Sequence, residues 1–186
     1  MKKFIVSIIL ILLFTLTSYA ESNIAIVGNS QAYYLSKICE IDDNKGTLSK
    51  TDNAVGGCFI DSTFPEITTF PQRCKNYNTA ILFFGTNEIL KNYDLWDYIV
   101  KLNKYCLDIH KVNPDCKIYI IEIPKFKTQR LFDSKINLWN TSLELMCSNY
   151  EYIKYQKLPN KVEFKDELHL SDITLLELMQ NILLNI

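Results

Sequence analysis

The chain is poor in histidine. Only His110 and His169 occur among 186 residues, so any chemistry that needs an imidazole has two candidates. Glycine and proline are scarce as well, five of each, which excludes collagen-like and low-complexity sequence. No C-x-x-C pair exists and neither histidine stands at a ligand-like spacing from a cysteine, so the usual zinc patterns are missing. There is no G-x-x-x-x-G-K-[ST] loop, no G-x-G-x-x-G opening a helix and no G-x-S-x-G elbow. An excess of one charge is lacking too. Twenty basic and 21 acidic residues leave a net charge of −1, or about −3 if Lys2 and Lys3 depart with a leader. No basic field for nucleic acid exists.

What is present is apolar. Hydrophobic residues make up 48% of the chain and aromatics 12%, enough for one domain with a sizeable core over residues 21–186. Residues 1–20 read as a signal peptide, with two lysines, an apolar run from Phe4 to about Leu16, and small residues at Ser18 and Ala20 before Glu21. That run falls short of the ~20 residues a spanning helix needs. The expectation is a secreted or periplasmic protein with no stable membrane span after cleavage. All six cysteines (Cys39, Cys58, Cys74, Cys106, Cys116, Cys147) lie beyond the cut, where an oxidising compartment makes disulfides the first expectation. Sequence does not choose among the pairings.

Three short apolar runs, residues 23–28, 79–85 and 117–123, lack strict alternation and are bounded by turn residues. They read as strands covered on both faces of a parallel sheet. Residues 54–60 suggest a weaker strand and residues 150–156 a last one. Between them, residues 95–112, 131–150 and 171–186 carry apolar stripes at three- and four-residue spacings. The alternation predicts an α/β three-layer α/β/α sandwich with a central parallel sheet, whose ligands bind at the carboxyl ends of the strands. Residues 124–132, "PKFKTQRLF", leave a strand end and should overhang that face.

Ser30 follows the first strand in "VGNSQA", a context that also suits a helix N-cap. Gly56 and Gly57 follow in "DNAVGGCF", either of them suited to a turn. Asn87 follows another strand in "FFGTNE", where it can also cap a helix. Asp166 lies three residues before His169 in "KDELHLSD", close enough to turn back onto the imidazole Nδ1–H and fix its tautomer. His110 belongs to a helical stripe and suits a helix C-terminus.

In this order, Ser30, the Gly56–Gly57 pair, Asn87 and Asp166 with His169 resemble the four blocks of the SGNH (GDSL-like) hydrolase family, over a span from Ile24 to His169. The resemblance implies the flavodoxin-like sandwich of that family. It implies Ser30 as nucleophile, His169 as general base and Asp166 as its orienting carboxylate. The N–H groups of Ser30 and Gly57 with the Asn87 amide would form the oxyanion hole; Gly57 is preferred to Gly56 because the family has a small residue before its block glycine. No cofactor or metal is implied.

Two positions depart from the family. Its first block usually reads Gly-Asp-Ser where this chain has Asn29, and its third ends in Asp where this chain has Glu88. The implied activity is a serine esterase acting on a small-molecule or polysaccharide ester, above all an O-acetyl group on carbohydrate. A lipase, lysophospholipase or thioesterase on the same triad is one alternative, and a catalytically weak carbohydrate-binding module of the same fold is another. Tyr33, Tyr34, Trp96, Phe126 and Trp139 are candidates for stacking on sugar, against a role in the core.

Overall fold

The computed structural model describes residues 23–38 and 57–185. The leader, Cys39, the polar stretch 42–53 and Gly56 lie outside the described residues. In chain order, β1 (Ile24–Gly28) leads into α1 (Ser30–Ile38). Two short helices, α2 (Pro65–Thr68) and α3 (Phe70–Arg73), precede β2 (Thr79–Phe83). There follow α4 (Thr86–Leu90), α5 (Leu95–Val112), β3 (Lys117–Ile121), α6 (Asp133–Cys147), β4 (Ile153–Gln156) and α7 (Asp172–Leu183).

The four strands form one parallel sheet in the order β1-β2-β3-β4. Gly28 lies opposite Phe83, Leu82 opposite Ile120 and Ile121 opposite Gln156, so all four carboxyl ends open on one edge. Every residue of β1 and β2 is buried, and β3 is buried beyond its first residue, because helices cover both faces. Parallel neighbours need crossovers, and right-handed ones from β2 to β3 and from β3 to β4 put α5 and α6 on one face. There α5 packs against α3 and α6, while α1 packs against α7 to form the other layer. The structure is the three-layer sandwich.

The helices follow from their stripes. Tyr98, Ile99, Leu102, Tyr105, Cys106 and Ile109 form the buried face of α5, which begins where the Asp94 carboxylate accepts the Asp97 N–H at 2.9 Å. Tyr98 stacks on Trp139 of α6 with ring centroids 4.7 Å apart, which makes Trp139 a core residue. Burying one such side chain stabilises the fold by about 1.5–3 kcal/mol.

Two expectations are corrected. No disulfide joins any two of the five described cysteines. Cys74, Cys106, Cys116 and Cys147 are separate buried thiols that pack as small apolar residues, Cys106 and Cys147 within the stripes of α5 and α6. The strand expected over residues 54–60 does not exist in its described part, 57–60. Side chains occupy the backbone groups that a ladder would need: Asn87 donates to the Cys58 carbonyl, and the N–H groups of Phe59 and Ile60 donate to Ser62 and Glu88.

Candidate active site

The sharp turn after β1 brings Ser30 to the carboxyl edge. Gly28 has φ +147°, and a Cβ there would overlap the Phe83 carbonyl oxygen of the neighbouring strand. Asn29 is fully buried. Its N–H donates to Phe83 O at 3.1 Å, and its side-chain Oδ1 accepts the Gln31 N–H at 3.0 Å, which caps the first turn of α1. The cap is therefore Asn29, and Ser30 is left with its hydroxyl for another partner. One acceptor oxygen suffices for that cap, so asparagine replaces aspartate there, at the cost of an Nδ2 buried without a hydrogen bond.

That other partner is His169. Its Nε2 lies 3.0 Å from Ser30 Oγ, and its Nδ1 lies 2.8 Å from Asp166 Oδ2. The second oxygen of Asp166 accepts the N–H groups of Leu168 and His169, both at 2.8 Å, so the carboxylate ties the loop that carries the imidazole. Desolvation alone would raise the pKa of Asp166. The N–H groups of His169 and Leu168, with the imidazole, outweigh it and hold the carboxyl down at about 2. Around them the loop is closed by the Lys165 N–H on His169 O at 3.0 Å and by an antiparallel bridge between Phe164 and Leu170.

Gln31 fastens this loop to α1. Its Nε2 donates to Leu168 O at 2.7 Å and its Oε1 accepts the Leu170 N–H at 3.3 Å. The residue after Ser30 thus holds the two residues that flank His169, and it is almost fully buried in doing so. Tyr34, one turn further along α1, meets the His169 ring edge-on at 5.1 Å between centroids. No sequence pattern announced the role of Gln31.

The remaining predicted residues converge on the same edge. Asn87 sits in the first turn of α4, and its Nδ2 donates one of its two protons to Cys58 O at 2.8 Å. Cys58 in turn donates its thiol to Gly28 O at 3.1 Å, which sets the 57–60 segment beside the end of β1. Gly57 is exposed there with φ +77°, in the left-handed region. Glu88 is fully buried, and its two oxygens accept the N–H groups of Ile60 and Gly85, each at 2.8 Å. Burial raises its pKa, against the opposing pull of its own N–H and those two donors. Its longer arm joins the second sequence block to the third.

His110 is elsewhere. It lies in the last turn of α5, at the amino edge of the sheet, and stacks on Tyr152 with centroids 3.6 Å apart. Trp96 is exposed on α5, and Phe126 is buried beyond β3. Among the described residues no group of three or more His, Cys, Asp or Glu side chains is placed to hold a metal ion, and no helix is long and apolar enough to cross a membrane.

The chain has the fold of the SGNH (GDSL-like) hydrolases. A family 3 carbohydrate esterase from Talaromyces cellulolyticus superposes with a TM-score of 0.65 at 12% identity, over 87% of this chain and 96% of that one. A GDSL-like lipase from Bacteroides thetaiotaomicron gives 0.63 at 14% identity, over 89% and 87%. A family 3 carbohydrate esterase from Clostridium thermocellum gives 0.58 at 17% identity, over 84% and 90%. At these identities the likeness is one of fold. No family model matches the sequence, and no curated protein is significantly similar to it.

Proposed function

We propose that the protein is a secreted serine esterase that removes or transfers an acyl group, above all an O-acetyl group on carbohydrate, through Ser30, His169 and Asp166. The observation that carries this reading is the continuous chain of contacts from Ser30 Oγ to His169 Nε2 at 3.0 Å and from His169 Nδ1 to Asp166 Oδ2 at 2.8 Å. Carbohydrate esterases among the proteins of like fold support the substrate class.

In the first step Ser30 donates its hydroxyl proton to the free lone pair of His169 Nε2 while Oγ bonds to the ester carbonyl carbon. Asp166 accepts a hydrogen bond from the Nδ1–H of His169 without taking the proton, which keeps Nε2 as the basic nitrogen and stabilises the imidazolium. The carbonyl oxygen takes the negative charge and receives hydrogen bonds from the N–H of Ser30, the N–H of Gly57 and the second amide proton of Asn87. Ser30 stands in the first turn of α1, whose N–H groups have no partner within the helix and whose dipole favours an anion. One such donor is worth ~2.7–4 kcal/mol of barrier. Collapse breaks the bond to the alcohol oxygen as His169 returns the proton to it. Water then adds to the acyl-enzyme with His169 taking its proton, and the acid leaves as Oγ is reprotonated.

The test compares wild type with Ser30→Ala on an aryl acetate, a long-chain aryl ester and an acetylated oligosaccharide. Acetate release should fall by at least about 10³-fold in the variant, with its circular dichroism unchanged. Preference for the long chain would transfer the reading to a lipase. Sugar binding with no hydrolysis of any ester by wild type would transfer it to a binding module. Export by residues 1–20 calls for an N-terminus at Glu21 in the protein recovered outside the cytoplasm.

A further inference from the structure

Beyond His169, at the carboxyl ends of β3 and β4, lies a cleft of about 720 Å³, within the roughly 300–1,000 Å³ common for small-molecule sites. We propose that it binds the alcohol half of the ester and selects a hexose that carries a negatively charged group. This rests on the esterase reading, whose geometry gives the cleft its side. The leaving oxygen must face His169 Nε2 to receive its proton, whereas the carbonyl oxygen faces the donors near Gly57 and Asn87. The departing alcohol is therefore on the side of the 164–170 loop, and the start of that loop is also a wall of the cleft, through Phe164 with Glu163 just before it.

The distance suits one substrate molecule. Neighbouring strands lie about 4.8 Å apart, so the end of β3 is about 10 Å, two spacings, from the end of β1 that carries Ser30. The cleft and the catalytic loop are joined directly. The Lys127 N–H donates to Glu167 O at 3.2 Å, and the Thr128 hydroxyl bonds the Glu167 carboxylate.

The lining chooses the ligand class. Phe126, Leu158, Val162 and Phe164 give an apolar floor of the kind that the C–H face of a sugar ring covers. Lys125, Lys127 and Arg130 stand at the rim, all exposed. Neither lysine has an ion pair among the described residues, while Arg130 has Asp133 at 3.5 Å. Of the two acids of the lining, Glu163 pairs with Lys161 at 2.6 Å, while Glu122 accepts the Leu158 N–H at 2.8 Å and keeps its charge. The rim therefore presents three cations against the two acids of the lining, and the two lysines are the ones without an ion pair among the described residues. A neutral ligand leaves that charge unused; an anion on the sugar meets it.

The experiment uses one O-acetylated hexose in two forms, glucuronate and glucose, with wild type and the double variant Lys125→Ala/Lys127→Ala. The expected result is a kcat/KM about tenfold higher for the glucuronate at low salt, shrinking as salt rises towards 1 M because the rim is exposed. The preference should vanish in the double variant and return in Lys125→Arg/Lys127→Arg, while hydrolysis of a neutral aryl acetate stays within about twofold. Equal rates on both sugars, or a preference that survives the double variant, overturns the proposal. Binding of free glucuronate and of glucose 6-phosphate to Ser30→Ala reads the cleft apart from the chemistry and tells a carboxylate from a phosphate. Binding of either that is lost with the two lysines supports the subsite even if no ester is cleaved, and absence of binding by both overturns it.

Discussion

The side chain of Gln31 donates to the carbonyl of Leu168 at 2.7 Å, tying the residue after Ser30 to the residue before His169. With its second bond, to the Leu170 N–H at 3.3 Å, the amide sets the height of the imidazole over the serine hydroxyl. Gln31→Leu removes both bonds and leaves the buried Leu170 N–H without a partner, at about 1–3 kcal/mol, and the half-buried Leu168 carbonyl at less. A misplacement of ~1 Å in a catalytic pair can cost ~10²-fold in rate. The variant should lose kcat on a small aryl acetate by roughly that factor with KM nearly unchanged. Gln31→Glu keeps the acceptor but turns an oxygen towards Leu168 O, and should also be impaired. Full kcat in both would remove Gln31 from the alignment of the pair.

Asp166 and its two backbone donors give a pH signature. The folded-state pKa is depressed to about 2, so the stabilising contribution is complete above the ordinary carboxylate range and is lost as pH falls towards 2. Between pH 8 and 4 the charge on Asp166 does not change, and no loss of activity in that interval comes from its protonation. Asp166→Asn removes the acceptor for the Nδ1 proton and leaves the imidazole free to adopt the wrong tautomer. Its kcat should drop on the order of 10³–10⁴-fold, with the stability slope between pH 4 and 2 flattened. Denaturant titrations at several pH values, run beside the rates, measure both.

Much of this arrangement was legible in the chain because β1, β2 and β3 are buried on both faces and so appear as uninterrupted apolar runs. The residues of the candidate site stood out as types in order, through their resemblance to a family. What escaped was carried by partners distant in sequence. Gln31 finds its acceptors 137 positions away, and nothing in "NSQA" encodes that. Residues 57–60 look extended from composition, but Asn87 and Glu88 take the backbone groups a strand would use. The disulfide expectation followed from the compartment, which says nothing of whether two Cβ atoms meet.

Glu88 runs opposite to Asp166. Burial raises its folded-state pKa, so the unfolded chain ionises first as pH climbs out of the ordinary carboxylate range. Stability from this group is greatest at low pH and falls until the folded carboxyl ionises too. Glu88→Gln abolishes that slope. It also keeps only one acceptor for the N–H groups of Ile60 and Gly85, leaving an NH₂ against a buried donor at about 1–3 kcal/mol. Because those two groups fix the segments that carry Gly57 and Asn87, acetate release should fall as well. Full acetate release by the variant, with stability matching wild type at every pH from 4 to 8, would show that the carboxylate does not bridge the two blocks.

The buried cysteines make a claim about chemistry in solution. Burial pushes the Cys116 and Cys147 thiols up to about 12, and those of Cys74 and Cys106 are raised as well. At pH 8 a thiol with a pKa of 12 is about one part in 10⁴ thiolate, the reactive form. Native protein should therefore leave these four cysteines unmodified by iodoacetamide over hours, and denatured protein should label all four without any reductant. Peptide mass spectrometry distinguishes the sites. If any of the four takes label in denaturant only after a reductant is added, that cysteine is bridged and is not a separate buried thiol. If any labels rapidly in the native state, the packing that buries it opens well below the global unfolding free energy.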